Sequence, residues 1–543
     1  MSRRQSQCRI CSAGRIATSL LAAAFSTLAS ATSLPRNDAQ LPFILSNNPN
    51  GAGRHSLWQQ SSQISESLEG KNHGPNLHRG QAIVRIDIER LDDGNVRQII
   101  QQLEEAELDI WHKKKNEYID VRVSSAFFDS DLHASVQDRL TVRVPSVDDL
   151  LRQEAESQLS ASTAITTQSH ATLLSDPDNG LHSLYHSHAS IESLLELFST
   201  DYPEYAKLEN IGVSAEGRSI HALRVSDYRN KKHAKTTAQD QTSWRTISQK
   251  ALRQVWMKTP SLFKAKPKPK RKLGFALLGG QHAREWISPA TLLYIAHSVI
   301  TTASRASTMS IGTLADQEQD IMTLLSEYEL HFIPLANPDG YAYAWEHDRL
   351  WVRSRQHIGL NETRCRGIDL NRNWGYKWEK SYRPNPCSDL YPGSEPFEAV
   401  ENQVIKEYLG KVKESTRLDA FMDVHSFGQL IMYPYSYSCT AVPPDAENLF
   451  EALLRASKAI HSVHKQNYDV GGVCDVSYTA TGQSLDWTYH DLRAKWSFAA
   501  NLRDEGVYGF LLPPDQIVPT GQEMLVGLLD LARFIAQKER IED

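Results

Sequence analysis

The sequence has little excess charge, few cysteines and, after its first 31 residues, no long hydrophobic run. Its 543 residues include 59 Lys and Arg against 65 Asp and Glu, for a formal net charge of −6. Such a balance argues against a nucleic-acid partner. Because no second apolar run follows, we expect no membrane-spanning segment in the remainder. The hydrophobic fraction of 40% suffices for packed cores, and the length favours two or more domains.

Residues 1–31 have the three parts of a secretory signal peptide. Four Arg and no acid occur in this stretch, residues 16–31 are largely apolar, and Ala29-Ser30-Ala31 offers a small-residue cleavage site. We predict secretion, with the medium, the cell wall and the vacuole open as final compartments. A disordered arm or a membrane anchor is the alternative, although the Ser and Thr residues make the stretch too polar to span a bilayer well.

Six cysteines are present, of which Cys8 and Cys11 lie in the predicted signal peptide. The other four are an even number, which fits disulfide formation in an oxidising compartment. Spacing alone does not determine their pairing, and reduced core thiols are the alternative. The N-glycosylation sequon Asn361-Glu-Thr363 lies in a polar stretch, so we predict a surface glycan on Asn361.

Changes in composition divide the chain after residue 31. Residues 32–79 are rich in Ser, Asn, Gln and Gly, lack periodicity and are predicted to be a disordered leader. Residues 80–158 have the mixed periodicities of a small α+β unit, and residues 159–177 are a predicted linker. Within the α+β unit, the predicted strands are 81–88, 108–111 and 118–123, and the predicted helices are 96–105 and 147–159.

Residues 178–540 alternate short apolar strands with helical patterns. This alternation favours an α/β fold, a mixed and mostly parallel sheet with helices on both faces. Ligands of such sheets bind beyond the carboxyl ends of the strands, and His282 and His425 both follow predicted strand ends. The predicted strands are 273–280, 329–335 and 420–424, and the predicted helices are 191–198, 289–300, 398–409, 449–461 and 523–536.

His282, Glu285 and His425 form a candidate metal site. Two imidazoles and one carboxylate suit zinc, and three protein ligands leave a fourth position open for water, as in catalytic rather than structural sites. We predict that these residues bind one Zn²⁺ ion. A lone His-x-x-Glu motif is weak evidence, because short motifs recur by chance.

Further motifs follow in a fixed order. They are His282-x-x-Glu285, Asn337-Pro-Asp-Gly340, Asp369-Leu-Asn-Arg-Asn-Trp374, His425-Ser426, Tyr478, Gly482-x-Ser-Leu-Asp-Trp487, Leu502-Arg-Asp504 and Tyr508-Gly-Phe-Leu-Leu-Pro513. This series resembles the zinc carboxypeptidase A/B family over residues 178–540. The α+β unit is similar to the family's prodomain, an open sandwich that covers the active-site funnel. The resemblance also implies two disulfides, Cys365–Cys387 and Cys439–Cys474.

The resemblance implies a site for the C-terminus of a peptide or protein. Asn371 and Arg372 would bind the terminal carboxylate, since an Arg fork suits a planar carboxylate; an Arg372–Asp369 ion pair is the alternative. Tyr478 would close over the peptide. Leu485, at the floor of the side-chain pocket, implies a preference for aliphatic or aromatic C-terminal residues. The residues assigned to the remaining subsites are Arg284, Ser426 and Phe427, the last in place of a frequent Tyr.

Two positions depart from the family pattern. The general base and acid is a Glu in the family, and Asn501 stands in its place; general acid–base help is worth about 10²–10⁴ in rate. Val352 stands where the family has the Arg that stabilises the oxyanion, and losing one such donor costs about 10²–10³. Arg353 is adjacent, but neighbouring residues of extended chain usually point apart.

These features predict a secreted, monomeric, zinc-binding carboxypeptidase-like protein with little or no peptidase activity. It resembles the fungal inactive metallocarboxypeptidase-like proteins associated with cell-wall organisation. Two alternatives stay open. One is an active carboxypeptidase that releases aliphatic or aromatic C-terminal residues with the help of a substitute base. The other is a scaffold in which zinc is dispensable.

Overall fold

The structure is a computed structural model that describes residues 77–165, 174–178, 180–229, 271–309, 314–359, 365–379 and 385–542. The predicted signal peptide, nearly all of the predicted leader and the sequon at Asn361 lie outside the described residues. Within the described part of the chain, no helix is long and apolar enough to cross a membrane.

Residues 77–165, here called the N-terminal segment, form a four-stranded antiparallel sheet in the order β2-β3-β1-β4. Helix α1 begins after Asp92, whose side chain caps it by accepting hydrogen bonds from the backbone N–H groups of Gly94 and Asn95. The elements are β1 (Ala82–Asp87), α1 (Asp93–Glu105), β2 (Asp109–Lys114), β3 (Tyr118–Val123), α2 (Asp131–Val136), β4 (Leu140–Val144) and α3 (Val147–Ile165).

Several elements of the N-terminal segment depart from the predicted pattern. Strand β4 was not predicted, because its middle residues are exposed and give no apolar alternation. Helix α3 continues to Ile165, well into the predicted linker. Gln158, near the end of the predicted part of this helix, pairs with the backbone of Tyr185 and accepts from its N–H at 3.0 Å. The added residues 160–165 are Ser, Ala, Thr and Ile without helical periodicity, so the sequence pattern did not indicate the longer helix.

Residues 180–542, here called the main domain, contain an eight-stranded mixed sheet in the order β11-β10-β12-β9-β7-β8-β6-β5. Its centre, β12-β9-β7-β8, is parallel, and antiparallel pairs lie on both sides. All seven residues of β7 are buried, as expected for a central parallel strand. The strands are β5 (Ala206–Val213), β6 (Ser219–Val225), β7 (Leu273–Gly279), β8 (Tyr328–Ile333), β9 (Arg417–Ser426), β10 (Leu430–Tyr433), β11 (Asp469–Gly472) and β12 (Trp496–Leu502).

Helices cover both faces of the large sheet, which confirms the predicted α/β fold. Successive residues of β7 point to opposite faces: Phe275 and Leu277 join one apolar cluster, Ala276 and Leu278 the other. The described helices are α4 (His188–Asp201), α5 (Ile287–Ala306), α6 (Asp316–Glu327), α7 (Pro338–Glu346), α8 (Val400–Ser415), α9 (Ala446–His464), α10 (Val473–Val476), α11 (Ser484–His490) and α12 (Ile517–Glu542).

The N-terminal segment and the main domain share a buried apolar cluster. Trp111 of β2 packs edge-on against Phe427 and Phe510 of the main domain, with ring centroids 6.3 and 5.2 Å away. Beside the cluster, a buried ion pair joins Glu154 of α3 to Arg349 through two hydrogen bonds of 2.7 Å. The members of the cluster are Ile83, Trp111, Val144, Val147, Leu150, Leu350, Phe427, Phe510 and Leu511.

Both disulfides implied by the resemblance are present. Cys365 is bonded to Cys387, and Cys439 to Cys474. All four cysteines belong to the main domain, so neither bond ties it to the N-terminal segment.

Candidate metal and peptide-binding site

The three candidate metal ligands meet at the carboxyl ends of β7 and β9. These strands are parallel neighbours, so their carboxyl ends lie side by side. His282 and Glu285 lie in the turn between β7 and α5, whereas His425 is the penultimate residue of β9. The strand therefore runs two residues further than predicted. Gly280 makes the turn possible: its φ is +63°, and a Cβ there would lie 2.9 Å from the Leu335 side chain.

Glu285 bridges the two imidazoles. Its Oε1 lies 2.8 Å from Nδ1 of His282, and its Oε2 lies 2.9 Å from Nδ1 of His425. One ligand atom from each of the three residues lies within 4.8 Å of the other two. Two nitrogens and one carboxylate that converge in this way fit a single zinc ion with an open coordination position.

A second layer of carboxylates fixes the two imidazole rings. Nε2 of His282 lies 2.9 Å from Asp369, and Nε2 of His425 lies 2.9 Å from Asp423. A bound metal would displace the Nδ1 protons, and a proton held on each Nε2 by these carboxylates would then leave the Nδ1 lone pairs to bind the ion. This carboxylate–histidine arrangement is the usual support of a metal-binding His.

The carboxylates also dominate the electrostatics of the site. Burial lowers the pKa of His282, but the charges of Glu285 and Asp369 outweigh it and raise that pKa to about 9. Burial raises the pKa of Glu285, yet the two imidazoles more than compensate and lower it to about 2. A net attraction for positive charge is thus built into the cluster.

The predicted carboxylate anchor lies beside the metal site. Asn371 Nδ2 is 3.1 Å from Nε2 of His425, and Asn371 Oδ1 accepts a hydrogen bond from Ser484 N. Arg372 donates to Tyr478 Oη at 3.4 Å. The alternative partner of Arg372, Asp369, is 4.0 Å away, and its other oxygen serves His282. Arg372 therefore contacts Tyr478 and, at the distance limit of an ion pair, Asp369.

A cavity of about 650 Å³ contains the metal ligands and the anchor. Among its lining residues are Arg284, Ser426 and Phe427, while Leu485 is not one of them. Leu485 lies one layer deeper, in an apolar cluster with Met432, Val473 and Ala499, which do line the cavity. Leu485 therefore lies behind the apolar part of the wall, and its predicted place at the surface of the pocket floor is wrong.

Asn501 and Val352 both line this cavity. Asn501 lies on β12 directly beside His425 in the parallel register, and its Nδ2 donates to Phe427 O at 3.1 Å. The Val352 side chain is apolar and buried. Arg353 binds elsewhere: its Nη1 donates to Pro386 O at 3.0 Å, and its Nε is 3.4 Å from Asp389. The guanidinium of Arg353 is therefore committed to the loop at 385–389.

Sequence reasoning missed the residues that the N-terminal segment contributes to the cavity. Asp109 accepts a hydrogen bond from Arg284 at 2.7 Å. The guanidinium of Arg284, a predicted peptide-binding residue, is therefore already paired with the N-terminal segment. Lys113 lies over the ring of Tyr478. A bulge between Ile110 and His112 interrupts the alternation of β2, so the sequence pattern does not indicate that Asp109 and Lys113 both reach the cavity.

The fold and the site are those of a metallocarboxypeptidase. The sequence profile of the family described as "Zinc carboxypeptidase" matches residues 191–527, and the chain belongs to this family. It is 31% identical to "Inactive metallocarboxypeptidase ECM14" of Paracoccidioides brasiliensis (strain Pb18), over 92% of this chain and 82% of the relative. It is 32% identical to the protein of the same name from Talaromyces marneffei, over 83% and 72% of the two chains.

Solved structures of carboxypeptidases have the same fold. The crystal structure of thrombin activatable fibrinolysis inhibitor matches with a TM-score of 0.64 and 26% identity, over 85% of this chain and all of the other. Carboxypeptidase A from Helicoverpa armigera matches with a TM-score of 0.65 and 23% identity, over 86% and 99% of the two chains.

Proposed function

We propose that the protein is a secreted, zinc-binding carboxypeptidase-like protein that binds the C-termini of peptides or proteins with little or no hydrolysis. The observation that carries this proposal is the pairing of a complete His–Glu–His ligand set with Asn501 beside it. A site that retains its metal ligands and its carboxylate anchor, but has no titratable group at this position, is suited to binding more than to turnover.

The residues around the metal site support binding without hydrolysis. A zinc ion held by His282, Glu285 and His425 would polarise a bound water or carbonyl group. Asn501 has no basic oxygen that takes up a proton at neutral pH, and its amide already donates to Phe427 O. Val352 offers no donor to a developing oxyanion. The two losses act on one reaction, so their costs do not simply add.

Binding of a C-terminus is supported by the residues that remain. Arg372 and Asn371 supply charged and neutral donors for a carboxylate, Tyr478 lies within contact of Arg372, and the apolar wall suits an aliphatic or aromatic side chain. The name of the relatives, inactive metallocarboxypeptidase, agrees with the absence of turnover.

Other parts of the proposal rest on the sequence alone. Residues 1–31 support secretion, and Asn361 is the proposed glycosylation site. A role in cell-wall organisation, a vacuolar location, a monomeric state and removal of the N-terminal segment as a prodomain remain hypotheses drawn from the resemblance.

The test combines metal analysis with an activity assay. The chain from residue 32 onward, with a specific protease site placed within 166–173, is analysed for zinc and assayed on an N-blocked dipeptide ending in Phe, before and after cleavage. We expect stoichiometric zinc and no turnover. An Asn501→Glu, Val352→Arg variant should gain at least about 100-fold over the parent, because general acid–base help alone is worth about 10²–10⁴.

The matched control is Asn501→Gln, Val352→Arg. Its Gln side chain has the size of the introduced Glu but cannot transfer the proton, so this variant should stay inert. Chelator-sensitive release of Phe by the parent would contradict the proposal and favour an active enzyme with a substitute base. Absence of zinc together with unaltered stability would favour a scaffold.

A further inference from the structure

Strand β2 of the N-terminal segment places a buried lysine at the peptide-binding cavity. Lys113 is only 9% exposed and lines the cavity together with Arg372 and Tyr478. Its Nζ lies 4.0 Å from the centroid of the Tyr478 ring, the same side chain that accepts a hydrogen bond from Arg372. Tyr478 therefore contacts two cationic groups that come from different parts of the chain.

The ammonium group of Lys113 is poorly compensated. Among the described residues, its nearest carboxylate oxygen is that of Glu104 at 3.9 Å, beyond hydrogen-bond reach, on a side chain that is 31% exposed. Burial lowers the pKa of Lys113, and only Tyr478 and Glu104 act in the opposite direction. A buried ammonium without a close acceptor is costly, so an anion that entered the cavity would find a favourable partner here.

The neighbouring lysines are different. Lys114 Nζ lies 3.2 Å from Asp469 and 3.5 Å from Glu117, and Lys115 Nζ donates to Cys474 O at 2.6 Å. These two side chains have close partners that hold β2 against the main domain or within its own hairpin. Docking of the strand therefore does not explain why Lys113 points into the cavity.

We propose that Lys113 is a second cationic group of the carboxylate-binding site, so that the N-terminal segment forms part of the ligand cavity rather than only covering it. The ligand would be a short peptide or small acid whose free carboxylate lies between Arg372 and Lys113. This inference rests on the proposed function, and it assigns binding to the form of the protein that retains its N-terminal segment.

The size and chemistry of the cavity suit such a ligand. A volume of about 650 Å³ is within the range of small-molecule sites, about 300–1,000 Å³. Arg372 offers a planar fork and Lys113 a point charge, so together they approach a carboxylate from two directions. Charge-assisted hydrogen bonds of this kind are about twice as strong as neutral ones.

The experiment measures binding of N-acetyl-Gly-Phe, and of the same dipeptide as its C-terminal amide, by calorimetry. It uses the uncleaved chain from residue 32 onward, loaded with zinc. We expect the parent to bind the acid and not the amide. Lys113→Met should weaken binding of the acid by about 10- to 100-fold, the range of a hydrogen bond to a charged group, whereas Lys114→Met, the matched control on the same strand, should bind as the parent does.

Lys113→Arg should restore most of the affinity, and equal melting temperatures of the variants would show that folding is not the cause of the loss. Equal affinity of Lys113→Met and the parent would overturn the role of Lys113 and leave C-terminus binding intact. Failure of the uncleaved parent to bind the acid would overturn this inference, and failure of the chain cleaved within 166–173 to bind it as well would overturn the proposed function.

Discussion

At the scale of single residues, the site retains the groups that bind a metal and lacks the group that would transfer a proton. His282, Glu285 and His425 have the geometry that a zinc ion needs, and Asp369 and Asp423 hold the two rings in place. Asn501 lies beside His425 in the sheet register, yet its amide donates a hydrogen bond to the backbone carbonyl of Phe427. Retention of the ligands without the proton-transfer group means that the metal is expected to contribute to structure and binding.

Removal of zinc should therefore lower stability. A ligand that binds only the folded state at 1,000 times its Kd stabilises that state by about 4 kcal/mol. Chelation should lower the melting temperature of the parent by several degrees, as measured by calorimetry. His425→Ala should melt at a lower temperature and no longer respond to the chelator.

The control for this prediction is His461→Ala, which removes an exposed imidazole on α9. It should respond to the chelator as the parent does. A parent whose melting temperature is unchanged by chelation would contradict a structural role for zinc.

At the scale of elements, the first turn of helix α8 contains a buried acid. Glu401 is fully buried at the first turn of α8, and its Oε1 accepts a hydrogen bond from Ala215 N at 3.1 Å. Burial, with help from Asp339 and Glu216, raises the pKa of Glu401 to about 7. Because the unfolded-state pKa is near 4.5, the folded state keeps this proton over a range where the unfolded state has lost it.

This acid should make the protein less stable as pH rises from about 4.5 to about 7, with the full cost present above pH 7. Glu401→Gln removes the charge and keeps the acceptor for Ala215. The variant should gain up to about 3 kcal/mol at pH 8, at 1.36 kcal/mol for each pKa unit, and little at pH 4.5, as measured by urea unfolding.

Glu407→Gln, on the exposed side of α8, is the matched control and should change stability little at either pH. A gain for Glu401→Gln that is equal at both pH values would show that ionisation of Glu401 is not the cause.

A buried ion pair helps to hold helix α3 to the main domain. Arg349 donates to both oxygens of Glu154, and also to the carbonyls of Arg284 and Phe510. Glu154→Gln leaves Arg349 without its counter-charge, and breaking a buried pair in this way costs about 3–5 kcal/mol. We expect that loss in the unfolding free energy.

Glu156→Gln, two residues away on an exposed position of α3, should change the unfolding free energy by less than about 0.5 kcal/mol. Similar values for the two variants would mean that the Glu154–Arg349 pair does not hold the helix.

The elements also show where sequence patterns are sufficient. Strands β7 and β9 and helix α9 were predicted from apolar runs and helical spacing, because each buries one continuous face or lies wholly in the core. Strand β4 is mostly exposed, and the last residues of α3 have no apolar period, so the sequence pattern indicates neither feature. His282, Glu285 and His425 were predictable because they belong to the ordered motifs of the family and lie at or just after the carboxyl ends of apolar strands.

At the scale of the whole molecule, the resemblance implied that the N-terminal segment covers the active-site funnel, but the individual contacts between this segment and the main domain were beyond sequence reasoning. Asp109 and Arg284 are 175 positions apart, and the pattern of β2, which a bulge interrupts, does not identify the surface that the strand contacts. For this reason Arg284 was predicted as a peptide subsite, while its pairing with Asp109 was not foreseen. Lys113 was missed on the same grounds.

The shared cluster around Trp111 should hold the two parts together after the chain is cut. Cleavage at a protease site introduced within 166–173 should give two fragments that elute together in size-exclusion chromatography, because their contacts include a buried apolar cluster and a buried ion pair. Neither disulfide joins the fragments, so they should separate in denaturing urea. Separation in native buffer would contradict this expectation.

The Glu154–Arg349 pair has a consequence for how the chain can change over evolutionary time. The two positions are 195 residues apart, yet a substitution at either one leaves a charge stranded in the interior. Drift at one position is thus tolerated only with a compensating change at the other. Among descendants of this sequence, we expect positions 154 and 349 to change together. The acid and the arginine should both be replaced by neutral residues, or both be kept.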